Sequence, residues 1–229
     1  MRKPVVDYRN FAFSKINSPE FEHLKFLLGW VGYFAFYFLT ENLIPYEKCT
    51  PVHSPLDDIV PFCEFFVVFY VGWYFLIALT LLYFALYNPK LFKQFMAFII
   101  TTQVVAMAVY ITFPNRQDLR PEVFPRENIF TNLLAFIYSF DTSTNVCPSL
   151  HVAYSVGIAS AWMREKTASK LTKILITVFC FFVCISVAFV KQHSVVDIFA
   201  AIPVCILAEY IAFYRGGKNH PDRKRQGKG

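Results

Sequence analysis

Residues 65–87 read FFVVFYVGWYFLIALTLLYFALY, twenty-three positions with no charge, closed by Asn88-Pro89. About 20 apolar residues carry a helix across the hydrocarbon core of a bilayer, and Asn-Pro is a stop signal for such a run. The stretch therefore predicts a transmembrane helix. Working outward from it, Leu24 to Ile44 is a second apolar run, ended by Glu41-Asn42 and Pro45, and Phe95 to Phe113 is a third, closed by Pro114. Leu171 to Val190 and Val195 to Tyr214 follow, the latter containing Pro203, which a membrane helix tolerates when neighbours satisfy the freed carbonyl. His151 to Met163 is too short alone and reaches spanning length only with residues 145–150 added. Its Ala153, Gly157 and Ala161 form a small-residue stripe that lets helices approach closely. Ile129 to Phe140 is apolar but only a dozen residues long and fits an interfacial helix.

The expected fold is thus all-α, a polytopic bundle of six transmembrane helices with a short interfacial helix between spans three and four. Residues 1–23 form an N-terminal segment, 24–214 a single membrane domain and 215–229 a basic tail. Composition agrees: 56% of the 229 residues are apolar, 19% aromatic and only 17% charged, more apolar surface than a soluble domain of this size buries. The polar first 23 residues argue against a signal peptide.

Placing both termini in the cytoplasm puts seventeen of the 22 Lys and Arg on that side and leaves Lys48, Arg116, Arg120, Arg126 and Lys191 outside, the bias that sets membrane orientation. The net charge of +6 is then accounted for by topology and anionic lipid, so nucleic acid is not an expected partner. Of the six cysteines, Cys180, Cys184 and Cys205 lie in apolar runs as packing residues. Cys49, Cys63 and Cys147 fall outside the membrane, where a disulfide between two of them is open and spacing selects no pair.

Three segments on the outer side carry chemistry. FPNRQDLRPE brings Arg116 and Arg120, four apart and on one face if the segment coils. NVCPSLH brings Ser149 and His151 to the start of the fourth span, and VKQHSVVD brings Lys191, His193 and Asp197 between the fifth and sixth. Asp197, one helical turn beyond His193, needs a partner near hydrocarbon, and the imidazole supplies one. Individually each residue has a structural explanation: Asp197 tied to Lys191, His151 beside a helix cap, the arginines as snorkelling anchors. Two His, an Asp, a Ser and three cations converging on one face point instead to a site.

These residues resemble the type 2 phosphatidic acid phosphatase superfamily, which includes haloperoxidases and lipid phosphotransferases. The matching motifs are Arg120-Pro121, then Pro148-Ser149-Leu150-His151, then Ser186 through His193 to Asp197, across roughly residues 95–214. Phe113, Leu150 and Val187 stand where the family usually has Lys, Gly and Arg. Pro-Ser-Leu-His with Lys-Gln-His looks like the branch near inositolphosphorylceramide-synthase and sphingomyelin-synthase type enzymes. The resemblance implies a lipid phosphatase; with no acidic cluster at metal spacing, no metal or other cofactor is expected, and the Lys and Arg bias puts the site on the extracytoplasmic face. His193 would attack phosphorus, Asp197 orient it and His151 act as general acid. Arg116, Arg120, Lys191 and Ser149 would hold the phosphoryl oxygens. The substrate would be a membrane lipid: phosphatidic acid, phosphatidylglycerol phosphate or a polyprenyl diphosphate. A phosphotransferase handing a headgroup to a lipid alcohol, and a non-catalytic membrane protein or transporter, are the alternative readings. Glu64, Gln103 and Glu209 are polar groups at or within spans without an assigned role.

Overall fold

The computed structural model describes residues 3–215, so most of the basic tail at 215–229 lies outside the described residues. The chain is mostly helical. Helix α1 (Leu28–Leu43) follows a 3-10 stretch over Glu22–Leu27; then come α2 (Pro55–Ile59), α3 (Val67–Tyr87), α4 (Pro89–Thr112), α5 (Ile129–Phe140), α6 (Leu150–Arg164), α7 (Lys170–Phe189) and α8 (Val195–Glu209). A π-helical turn over Tyr210–Arg215 extends α8. Four helices are long and apolar enough to cross a membrane: Glu64–Tyr87, Pro89–Thr112, Lys170–Phe189 and Val195–Arg215. Helix α5 is a shorter apolar helix.

Boundaries follow local chemistry. Asn88 ends α3 and caps α4, its Oδ1 accepting from Leu91 N with Pro89 in the first turn. The third apolar run therefore begins six residues earlier than its hydropathy indicates, because Lys90 and Lys93 are helical residues rather than a loop. The fourth run differs the other way. Residues 145–149 are not helical: Asn145 has φ 55, the Cys147–Pro148 bond is cis and Ser149 is the N-cap. Helix α6 is left with 15 residues, roughly 22 Å at 1.5 Å per residue, and α1 with 16.

Helix α6 is the centre of the bundle, packed on α3, α4, α7 and α8. Its small-residue stripe meets α4: a Cβ built on Gly157 would lie 2.6 Å from Phe98 Cδ1 and 3.3 Å from Phe95 Cε2, so only glycine admits this approach. One end of the bundle is tied by the N-terminal segment, where Val5 N donates to Leu86 O at 2.8 Å and Lys93 pairs with Glu22. At the other end, β1 (Thr50–Pro51) pairs in parallel with β2 (Asn115–Arg116). There Cys63 N donates to Phe189 O (3.0 Å), Tyr110 Oη to Pro148 O (3.0 Å) and Ser149 N to Asp197 O (3.2 Å). These bonds level the ends of α3, α4, α6, α7 and α8, and the connections carrying the candidate residues meet there. All six cysteines are free thiols.

Candidate functional site

His193 sits in the turn between α7 and α8. The turn closes tightly: Gln192 N and His193 N both donate to Val187 O, and Lys191 takes a left-handed φ of 53. Ser194 then caps α8, and Asp197, fully buried, completes a capping box by accepting Ser194 N at 3.0 Å. The same carboxylate oxygen accepts from His193 Nδ1 at 3.1 Å. That bond places the proton on Nδ1 and leaves the Nε2 lone pair pointing away from the carboxylate. Cys147 lies beside Asp197, and burial together with that charge pushes its thiol up to about 12, so it stays protonated.

His151 occupies the first turn of α6. Asn115 builds the approach to it: its Oδ1 accepts Val146 N and Cys147 N at 2.9 and 2.8 Å, and its Nδ2 donates to Phe113 O and Cys147 O. The imidazole is held by α3, with the Tyr70 ring stacked at 4.5 Å and Trp73 at 4.3 Å. Its Nδ1 faces His193 Nε2 at 3.4 Å. Two imidazoles 42 residues apart in sequence thus share one edge-to-edge contact, with a carboxylate behind one and aromatic faces around the other.

A comparison with protein-family models, with curated proteins and with solved structures gives no match for this chain.

The cations divide. Arg120 reaches the His193 turn through Gln192: its Nη2 donates to Asp141 O (2.7 Å), Thr142 O (2.9 Å) and the Gln192 side chain, its Nη1 to Tyr138 O (3.3 Å), and its guanidinium lies over the Tyr138 ring at 4.5 Å. Its Nε is buried without a partner. Arg116 is engaged elsewhere. Its Nη1 donates to Tyr46 O (3.0 Å) and Cys49 O (2.9 Å), and its Nε meets Asp118 at 3.1 Å. The two arginines share no helix face because residues 115–116 are strand, paired with Thr50–Pro51. Lys191 turns to α2, its Nζ donating to Asp57 O (2.9 Å) and Val60 O (2.6 Å). Burial lowers its pKa, against a smaller opposing effect of Asp57 and Asp58. Ser149 is fully buried as the cap of α6, its Oγ accepting Val152 N at 3.5 Å.

Three further residues complete the site. Asp141 accepts from Tyr70 Oη at 2.7 Å and Gln192 Nε2 at 3.1 Å, and burial raises its carboxyl above the ordinary range, only partly offset by Tyr70, His193 and Arg120. Tyr70 therefore touches His151 with its face and Asp141 with its hydroxyl. Asp57 holds the start of α8, accepting Ser194 Oγ at 2.6 Å and Val195 N at 2.7 Å. Asp141 follows an apolar run and Tyr70 lies inside one, so neither stands out by spacing. For Asp57, only the Ser-Pro-x-Asp capping pattern at 54–57 was a signal, and it speaks of a helix start rather than a site.

Proposed function

We propose that the chain is a lipid phosphate phosphatase working through a phosphohistidine on His193. The observation that carries the reading is the His193–His151 contact, Nε2 to Nδ1 at 3.4 Å, with Asp197 on the opposite nitrogen of His193. An imidazole whose Nδ1–H is held by a carboxylate presents Nε2 as a nucleophile, and the carboxylate stabilises the charge the ring acquires. In the first step the Nε2 lone pair forms the N–P bond while the P–O ester bond breaks. The departing alkoxide takes the proton of His151 Nδ1. In the second, His151 takes a proton from water, whose oxygen attacks phosphorus. The N–P bond then breaks, releasing phosphate and restoring His193.

Space sets one condition on this scheme. Attack needs about 3–3.5 Å between nitrogen and phosphorus, and proton transfer about 2.6–3.2 Å from the leaving oxygen to Nδ1. The rings must therefore part by roughly 2–3 Å as phosphate enters. The scheme uses His151 in its cationic form, which the Tyr70 and Trp73 ring faces suit. Arg120 is the cation for the phosphoryl oxygens, with the free N–H groups of Leu150 and His151 at the start of α6. Arg116 and Lys191 act as braces of the surrounding loops.

In the bilayer we read the four long helices together with α1 and α6 as six spans, α5 as interfacial and both termini as cytoplasmic. Lys and Arg at the opposite end of the bundle from the imidazoles support this orientation. The family resemblance of the Pro148–His151 and Ser186–Asp197 motifs points the same way. The test is phosphate release by the purified full chain from phosphatidic acid, phosphatidylglycerol phosphate and polyprenyl diphosphate, with and without a lipid alcohol. Release without alcohol that is lost in His193→Ala and His151→Ala supports hydrolysis. Turnover only with alcohol present identifies a transferase, and turnover surviving His193→Ala rejects the nucleophile.

A further inference from the structure

A groove of about 320 Å³ opens at the end of the bundle away from the imidazole pair, between the start of α4 and the π-helical turn that extends α8. Phe26, Ile211 and Ala212 form its apolar wall, and Lys90, Lys93 and Gln94 its polar one. Helix α4 separates Lys90 from Tyr110, whose hydroxyl bonds Pro148 O at the imidazole end. At 1.5 Å per residue that is roughly 30 Å, so the groove is distinct from the site described above.

The groove carries positive charge without a matching anion. No Asp or Glu borders it. Lys93 is bonded to Glu22, and that carboxylate also faces Lys25 and His23. One carboxylate thus answers two lysines, and the exposed Lys90 ammonium joins no ion pair among the described residues. Both groove lysines stand near the start of α4, whose first turn holds no acidic residue. A helix start carries partial positive charge and favours anions, so cations there add to the field instead of cancelling it. The lysines are unfavourable for the helix and favourable for an anion seated beside them.

The surroundings identify that anion as part of a lipid. The facing wall is apolar, and α4 and α8 are both long and apolar enough to cross a membrane. Tyr210 and Tyr214, on the turn that carries Ile211, are exposed and stacked at 5.4 Å. Exposed tyrosines at a helix end mark the headgroup level of a bilayer, and a basic pocket between spans at that level is a setting that holds phospholipid headgroups. A soluble phosphate would use the lysines and leave the apolar wall uncovered.

We propose that this groove binds an anionic phospholipid of the leaflet at that end of the bundle, with Lys90 and Gln94 taking the headgroup phosphate and Phe26 and Ile211 lying along the start of an acyl chain. Lys93 supplies charge while it stays with Glu22. The lipid is a bound ligand and not a reactant, because its phosphate lies the length of α4 away from His193 and His151. Its seat joins the stretch over Glu22–Leu27 to α4 and to the end of α8, so occupation holds three elements together. The chemistry of the imidazole pair plays no part in this assignment.

The experiment offers the full chain in detergent three probes: dioleoyl phosphatidylglycerol, dioleoyl phosphatidylcholine, and glycerol phosphate, which is a headgroup phosphate without chains. Adducts are read by native mass spectrometry. Retention of phosphatidylglycerol at least fivefold above phosphatidylcholine is expected, with no glycerol phosphate retained. Lys90→Glu, a change at an exposed position, brings phosphatidylglycerol down to the level of phosphatidylcholine, and Gln94→Leu lowers it by a smaller factor. Arg120→Ala, at the imidazole end, keeps the fivefold preference. Equal retention of the two lipids overturns the proposal, as does a preference that survives Lys90→Glu. A preference lost in Arg120→Ala places the lipid at the imidazole end and overturns it too. Glycerol phosphate held as well as the lipid assigns the groove to soluble phosphate and rejects the lipid. Phosphate release does not enter the readout, so a failed phosphatase assay leaves this result as it stands.

Discussion

Replacing Asp57 with alanine tests whether the His193 turn is held from outside the helices that carry it. Asp57 is 3% exposed. Its carboxylate accepts Ser54 N at 2.7 Å, Ser194 Oγ at 2.6 Å and Val195 N at 2.7 Å, and so caps α2 and α8 at once. Hydrogen bonds to a charged group contribute about 1.5–3 kcal/mol each, and donors left buried without an acceptor cost about 1–3 kcal/mol. The backbone donors at the helix starts regain some water, so the three bonds are not additive. A loss of roughly 3–5 kcal/mol is expected for Asp57→Ala, which in a chain of this size corresponds to a melting temperature lower by roughly 10 °C. Asp57→Asn retains one acceptor oxygen but turns an N–H₂ toward the remaining donors, and should fall between the two. The assay is thermal unfolding in detergent, followed by tryptophan fluorescence, alongside kcat for phosphate release. Because Ser194 adjoins His193, kcat should fall in Asp57→Asn even below its melting range. An unchanged melting temperature in Asp57→Ala would refute the double-cap reasoning.

Other outcomes follow from the same contacts. Gly157→Ala should destabilise by about 1–3 kcal/mol through overlap with the buried Phe98 ring, whereas Gly32→Ala, facing open space, should stabilise by up to about 1 kcal/mol; thermal unfolding of both variants checks the contrast. Asp141 holds its proton to higher pH when folded than when unfolded, so its buried charge costs stability above its folded pKa. That cost is relieved as pH falls through the raised pKa toward the ordinary 3.8. Wild type should therefore gain stability relative to Asp141→Asn as pH drops from neutral, and a pH-independent difference between the two would contradict the burial effect. Arg120→Ala should cost about 100-fold or more in kcat/KM, the scale of losing one donor to the developing charge. Arg116→Ala should lower the melting temperature with little change in kcat.

The fold's long helices were legible because their apolar runs end at Asn88-Pro89 and Pro114, residues whose backbone chemistry stops a helix. The imidazole–carboxylate spacing was legible too, since His193 and Asp197 lie one turn apart and only a capped α8 separates them. Misreadings arose where tertiary contacts override local pattern. Asn145 adopts a left-handed φ because its loop is pinned by Asn115 and Glu41, which shortens α6. Arg116 is drawn into a two-residue strand pairing with Thr50–Pro51, 65 residues earlier in the chain, so its i,i+4 relation to Arg120 is lost. The left-handed turn at Lys191 accompanies a side chain that reaches α2 rather than the imidazoles. Glu64, polar and without an assigned role in sequence, is buried against Arg126 at 2.8 Å and Asn128 at 3.0 Å, and so anchors the start of α5. Asp141, Tyr70 and Asp57 contact the site across more than fifty residues of chain, and no short motif encodes such contacts.

Trapping the covalent intermediate addresses the His193 assignment most directly. The purified chain is mixed with phosphatidic acid labelled in its phosphate, quenched in alkali within a turnover and digested for peptide mapping. An acid-labile, alkali-stable label on the peptide containing His193, absent in His193→Ala, is the predicted result. Steady phosphate release with no label on that peptide, or with the label on another residue, would contradict it.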